Sequence, residues 1–394
     1  MLHPQWFPSM RSGGKSHFRI SLFVLAFSLL QPKGARAEYS ASFKIQDYQE
    51  DDDRIRVKSQ YLLGKATIGD DFVLKVEGLV DSISGATPSG QPAPEDSDQV
   101  PLSDLSDRRK AVIIDASNQF GPQNVTFQFA YSTESDYDST GYTLRTIRGF
   151  NQKNTTLTLG YSYTDDLIRA GYHEEWQPRD THDFLIGITQ LLDPRTILKV
   201  NLSYGDASGF LNDPYKIIQK TTEILPGLSL PLTFPENRPT HRTKTVLYSE
   251  LTHHLEKINA TVEGSYRFFH DNQGVGSHTL GLAWFQKIGS QFILRPYVRW
   301  YRQSTSDYYY VSLDGTPIEP TPIPTGNAPY YSADYRISAL DGLTYGIKGI
   351  VDLTEWLRLD LTAERYEMTG RDDQTSASAY PKATVLTAGV SAWF

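Results

Sequence analysis

The stretch whose reading decides the fold is ATVLTAGVSAWF, Ala383 to Phe394. Side chains on an extended strand point alternately to two faces. Leu386, Ala388, Val390, Ala392 and Phe394 therefore share one row, and Thr387, Gly389, Ser391 and Trp393 share the other. Chain termini usually fray in water, so an apolar row that runs to the last residue implies a neighbouring strand to hold it. Such a strand either lies buried in a soluble sheet or turns its apolar row toward lipid. The remainder of the sequence decides between them.

The same alternation recurs upstream. Leu157, Leu159, Tyr161 and Tyr163 oppose Thr158, Gly160 and Ser162, and Leu357, Leu359, Leu361 and Ala363 oppose Arg358, Asp360, Thr362 and Glu364. Val125, Phe127, Phe129 and Tyr131 form another apolar row, and so do Phe72, Leu74, Val76 and Val80. Short turns at 64–71, 120–123, 151–154, 192–195, 255–257, 288–290 and 353–356 alternate with mostly longer connections, among them 83–107, 134–140, 164–181, 206–242, 303–335 and 369–381. This is the pattern of a transmembrane antiparallel β-barrel of about sixteen strands, with short periplasmic turns and long extracellular loops. Its first strand is expected at Ala41–Tyr48 and its last at Ala383–Phe394, the two pairing so that no edge remains. A soluble sandwich or propeller is the alternative, but no blade-length repeat is found.

Composition agrees with a barrel without proving one. Only 39% of residues are hydrophobic, as expected when every second side chain of a strand faces lipid. Arg11, Lys15 and Arg19, the apolar run Ile20 to Leu30 and the small residues Ala35 and Ala37 read as an export signal over residues 1–37. A mature barrel of 38–394, starting at Glu38, is expected. Loss of Arg11, Lys15, Arg19, Lys33 and Arg36 moves the formal charge from −8 to −13, which disfavours nucleic acid as a partner. The chain has no cysteine, so neither disulfides nor thiol chemistry contribute. Trp284, Trp356 and Trp393 fall near the short-turn side and Trp300, Tyr301 and Tyr204 near the other, as interfacial girdles would.

If the apolar rows face lipid, the opposite rows place Arg295, Arg299, Arg358, Asp360 and Glu364 in the lumen, together with Arg56, Lys58, Lys75, Glu77, Asp115, Lys199, Glu263, Arg267 and Lys348. Charges do not stay dry and unpaired, so this lumen is expected to be hydrated, ion-paired or both.

Six loop phrases stand out: YQEDDDRIRV (48–57), DSISGATP (81–88), SGFLNDPYK (208–216), ENRP with a following arginine (236–242), YRFFHDNQGVGSHT (266–279) and YYSADYRISAL (330–340). In kind and order they resemble DUF3570, a bacterial family of outer-membrane barrels known only as a domain of unknown function. The Gly274-Val275-Gly276 stretch departs from the aromatic-containing turn usual there. That resemblance implies the barrel and an outer-membrane location. Its gene neighbours imply a link to redox work in the envelope through a thioredoxin-like partner. The aromatic C-terminal strand also resembles the signal read by barrel-assembly machinery, with Phe394 as its last residue.

All six phrases fall at long-loop ends and are expected to meet at the extracellular mouth. Asp213, Tyr215, Lys216, Arg238, Arg242, Arg267, Asp271, His278, Asp334, Tyr335 and Arg336 would then form either a solute-binding site or an ion-paired collar that stiffens the rim. Outer-membrane lipid and lipopolysaccharide are the expected surroundings. Passage or binding of a small solute is the leading function, a scaffold for an envelope redox assembly the second, and a lipid hydrolase the third. Adjacent Ser277 and His278 point to opposite strand faces, and no G-x-S-x-G turn occurs, so a catalytic pair is not built here. No residue pattern identifies a metal or cofactor. The acidic runs at 49–53 and 95–98 lack a calcium-loop glycine pattern.

Overall fold

The computed structural model describes residues 37–394; the expected export signal lies outside them, apart from Ala37. Eighteen strands follow in order: β1 (Ala37–Glu50), β2 (Arg56–Ile68), β3 (Phe72–Pro88), β4 (Leu102–Phe120), β5 (Gln123–Thr133), β6 (Tyr137–Phe150), β7 (Thr155–Ile168), β8 (Gln177–Asp193) and β9 (Thr196–Gly209), then β10 (Ile217–Leu225), β11 (Leu228–Pro235), β12 (His241–Leu255), β13 (Ala260–Asp271), β14 (Gly276–Ile288), β15 (Phe292–Gln303), β16 (Leu340–Thr354), β17 (Leu357–Gly370) and β18 (Lys382–Trp393). Sixteen of them close into one antiparallel barrel, while β10 and β11 form a separate hairpin between β9 and β12.

Closure is made by β1 and β18, with Ala41 opposite Ala392, Phe43 opposite Val390 and Ile45 opposite Ala388. Tyr39 and Phe394 exchange backbone hydrogen bonds of 2.8 and 2.9 Å, and their rings stack at 6.2 Å. The apolar row of the last strand is thus the outer face of the seam. Around the wall the same parity places Phe184, Leu202, Leu247, Leu282, Val298, Ile347 and Leu361 outward, all of them exposed. In water such a belt would forfeit roughly 25 cal/mol for every Å² left uncovered, whereas in hydrocarbon it is at home.

Several strands run past the limits set by hydrophobic alternation. β3 and β4 pair as far as Pro88 and Leu102, so the connection expected over 83–107 shrinks to 89–101. Above a bilayer the ladder needs only its hydrogen bonds and no apolar row, which is why alternation understates strand length. The β10–β11 hairpin was likewise hidden in the expected 206–242 loop. Arg56 and Lys58 do not enter the lumen. Lys58 pairs with Asp47 in register, on the same face as Ile45 and Phe43, and Arg56 hydrogen-bonds Asp47 outside the wall. Tyr301 and Trp393 also leave the expected girdles: Tyr301 packs inward beside Leu340 and Met368, and the Trp393 ring lies 5.5 Å from the inward Arg358 guanidinium. Trp300, Tyr204, Trp284 and Trp356 do stand on the outer surface or at a turn.

The two-faced wall makes a direct prediction. Leu202→Arg, at the middle of an outward row, should cost about 2–4 kcal/mol in a bilayer, while Ser203→Arg, one residue on and facing the lumen, should cost less than about 1 kcal/mol. Urea titration of the two variants folded into lipid vesicles checks the difference.

Candidate functional site

Three segments from different connections meet over the barrel's long-loop end. The first follows β9 and is turned by Asp213, whose carboxylate accepts the Tyr215 amide at 2.9 Å. The second, 236–240, follows the β10–β11 hairpin. It is held against the third by paired backbone bonds between Asn237 and Tyr331, both 2.9 Å. In the third, Asp334 accepts the Arg336 amide at 3.1 Å and starts a single 3-10 turn over Tyr335–Ile337.

These turns aim six charged side chains at one another. Arg238 reaches Glu236 at 2.6 Å and Asp334 at 2.8 Å. Arg336 reaches Asp334 at 2.6 Å and also pairs with Asp213. Lys216 donates to the Pro88 carbonyl, its ammonium 5.5 Å from the centre of the Tyr335 ring. Glu236 further accepts from the Asp213 amide and the Ser332 hydroxyl. With three acids and three bases the group has no net charge, and Lys216, Glu236 and Asp334 are at most 1% exposed.

Burial on this scale moves titrations. It pushes Glu236 up to about 7 against the pull of Arg238, and it pushes Lys216 down to about 8, assisted by Arg336. Burial would raise Asp334 too, but the Arg336 and Arg238 guanidiniums outweigh it and hold that carboxyl well below the usual range.

The segments are seated on the inner wall. Tyr215 packs against Val57, Ile83 and Leu105. Tyr335 meets Tyr380 edge-on at 5.8 Å, in a cluster that includes Tyr301 and Met368 from the lumen face. Gly370 faces the Tyr380 ring, in space a Cβ would need. Gly85, from the DSISGATP phrase, has φ +120° and lies against the Arg54 carbonyl, so only glycine fits both its backbone and its surroundings. The result is a lid that enters the mouth and rests on inward side chains.

Of the mouth residues expected from the sequence, Asp213, Lys216, Arg238, Asp334 and Arg336 are brought together, with Tyr215 and Tyr335 flanking them. Arg242 and Asp271 form a separate pair at 2.5 Å. Arg267 belongs to the wall below, opposite Thr279. His278 is not in the mouth: it pairs in register with Phe268 on the outer face and bonds the Tyr266 hydroxyl at 2.8 Å. The period-two rule that separated it from Ser277, buried on the inner face, also removes it from this cluster. Glu236 and Ser332 were missed. The available signal was Glu236-x-Arg238, which places opposite charges on one side of an extended segment.

Below the lid the inward rows are partly ion-paired. Lys348 pairs with Asp360 at 2.7 Å, Arg295 approaches Glu263 at 3.6 Å and Arg358 holds Asp352 at 2.5 Å. Gly389 leaves the room that the Asp360 carboxylate fills. Glu364 hydrogen-bonds the Tyr297 hydroxyl. Arg299 and Arg267 carry no ion pair among the described residues, and Arg299 is exposed to the lumen.

A family model described as "Protein of unknown function (DUF3570)" matches residues 26–178 and 172–392. No curated protein matches the chain. Among solved structures it is similar to CdiB from Acinetobacter baumannii, with TM-score 0.50 and 8% identity over 90% of this chain and 60% of that one. It is also similar to the siderophore receptor PirA from Pseudomonas aeruginosa, with TM-score 0.44 and 10% identity over 89% of this chain and 61% of that one. A loop-deleted OmpT, an outer membrane protein of Vibrio cholerae, matches with TM-score 0.42 and 8% identity over 91% of this chain and 99% of that one. The chain thus spans about 60% of the length of CdiB. At these identities the likeness shows the outer-membrane barrel fold and nothing finer.

Removing one partner from a buried ion group strands the others, at a cost of about 3–5 kcal/mol. Arg336→Met should therefore release the 304–339 segment while the barrel stays folded, read as new proteolytic cleavage and faster hydrogen exchange confined to that segment. The lid should also respond to pH. Glu236 titrates near 7 in place rather than at 4.5, so its contribution to closure is complete below 4.5 and is lost as pH rises through about 7. Exchange protection of 236–238, corrected for intrinsic rates, should fall between pH 5 and pH 8, and Glu236→Gln should flatten that slope.

Proposed function

This chain belongs to the DUF3570 family, and from that premise we propose that it is a bacterial outer-membrane passage barrel whose mouth is closed at rest by the ion-paired lid. The carrying observation is the contrast between two levels of one cylinder. At the mouth Asp213, Lys216, Glu236 and Asp334 are buried, Arg238 and Arg336 are half-buried and paired with the acids, and this suits a latch better than a solute site, because a ligand would have to displace existing partners. Beneath it the wall is polar, and Arg267 and Arg299 face the lumen without a carboxylate partner.

A small anionic solute fits that inner surface. Unpaired guanidiniums attract negative charge and match carboxylate or phosphate oxygens in a planar fork. The Tyr301 and Tyr366 rings beside them offer apolar contact to the rest of such a molecule. The polar rows of β13 and β15 to β17 supply the path. Sixteen strands give a cylinder of porin size, so the lid and not the wall limits passage.

The surroundings follow from the same reading. The outward rows meet outer-membrane lipid and lipopolysaccharide, and assembly machinery engages β18 through the strand ending at Phe394. A thioredoxin-like envelope partner belongs to the scaffold alternative. A hydrolase is disfavoured because Ser277 and His278 face opposite sides of one strand.

Planar-bilayer recording separates these readings. Wild-type protein should show low or intermittent conductance, and Arg336→Met should raise the open fraction several-fold. Arg299→Glu in the released background should shift the ion preference from anions toward cations. A released variant that stays silent would remove the passage reading and favour the scaffold.

A further inference from the structure

A second charged group stands on the same rim beside the lid's ion-paired core, and it is built differently. Asp107 lies on the inner face of β4, opposite Ile83. Glu134 and Asp136 belong to the tight turn between β5 and β6, which is closed by a 2.7 Å bond from the Glu134 amide to the Tyr137 carbonyl. One carboxylate oxygen from each of the three lies within 4.8 Å of the other two.

Three features set this group apart from a solvated acidic loop. Asp136 is only 5% exposed, and so is the Glu134 side chain. Glu134 Oε2 and Asp136 Oδ1 are buried with no hydrogen-bond partner among the described residues, although a buried acceptor normally finds one. The facing cation is a single guanidinium: Arg109 Nε is 3.7 Å from Glu134 and also donates to Ser132 at 3.0 Å. Asp107 accepts from the Ser135 hydroxyl at 3.1 Å. Three carboxyl groups thus face one arginine in a half-dry corner. Burial, reinforced by the neighbouring acids, pushes both Glu134 and Asp136 up to about 8.

We propose that Asp107, Glu134 and Asp136 bind one calcium ion at the rim. The donors are all oxygen, with no histidine or thiolate, which selects a hard cation over zinc or copper. Calcium holds its oxygens at roughly 2.3–2.6 Å, so ligands on opposite sides stand about 5 Å apart; magnesium, at about 2.0–2.1 Å, would require the group to contract. The ion supplies the partner that Glu134 Oε2 and Asp136 Oδ1 lack. It also staples β4 to the β5–β6 turn, whose Asp136 carbonyl accepts the Arg169 amide at 2.8 Å, so three neighbouring strand ends become one unit beside the lid. This site stands independently of whether the barrel passes a solute.

The test uses the full mature chain folded in detergent, stripped with a chelator and titrated with calcium chloride by calorimetry. One ion per chain is expected, with affinity reduced about tenfold or more by Asp136→Asn and by Glu134→Gln, and unchanged by Asp52→Asn in the exposed acidic loop. Binding that survives both rim substitutions, or that disappears with Asp52→Asn, overturns the proposal. Hydrogen exchange on the wild-type chain gives a reading that needs no variant. Added calcium should protect 107–109 and 134–138, and the absence of protection there overturns the proposal equally.

Discussion

The whole structure depends on one constraint: a strand in hydrocarbon has no water to satisfy its amides and carbonyls, so every backbone group must find a partner within the protein. A sheet meets that condition only when its first and last strands join. The pairing of β1 with β18 therefore does more than add one ladder. Without it both edges would present rows of unpaired polar groups to lipid, each costing several kcal/mol, and the other fifteen junctions would lose their purpose. The stacking of Tyr39 on Phe394 lies at the very end of this seam, where fraying would otherwise begin.

Closure fixes which face of each strand is wet, and the inner face carries the consequences. Charges kept off the apolar outer belt accumulate inside, where they pair across neighbouring strands, as Lys348 does with Asp360 and Arg295 with Glu263. Small residues open the necessary space, and Gly389 beside Asp360 is the clearest case. The same inner surface, near the long-loop end, carries the apolar side chains Val57, Ile83, Leu105 and Met368. They give the lid a dry seat inside a wall that is otherwise polar.

How much of this was legible in the sequence follows from physics that acts locally or at a distance. The barrel, its closing strand and the alternation of short turns with long loops were readable because period-two alternation is a local signal. Where strands rise above the bilayer that signal stops, so the upper parts of β3 and β4 read as loop, and alternation does not place Arg56 and Lys58 on their outer face. The lid was readable only in part. Polar phrases at the long-loop ends pointed to Asp213, Lys216, Arg238, Asp334 and Arg336, but the pairs that join the segments, Arg238 with Asp334 and Arg336 with Asp213, lie 96 and 123 positions apart. For Glu236 the one local signal is its spacing from Arg238, which suggests a pair but not burial. Neither did the sequence reveal the Asp107, Glu134 and Asp136 group, since Asp107 meets the other two only through the register of β4 on β5.

If the ion group acts as the latch proposed above, its chemistry makes a closed mouth compatible with opening. An apolar lid would gain stability in proportion to area and could loosen piece by piece. A desolvated ion group behaves otherwise: charge pairing offsets the cost of dehydration but exceeds it by little, so the group as a whole contributes modestly to closure. Partial disruption is nevertheless expensive, because freeing Arg336 alone leaves Asp213 buried without its guanidinium and Asp334 with Arg238 only. A small overall gain joined to steep internal coupling favours two states over a continuum. On the proposed reading the three segments contribute to one electrostatic unit, so they would leave together and return together.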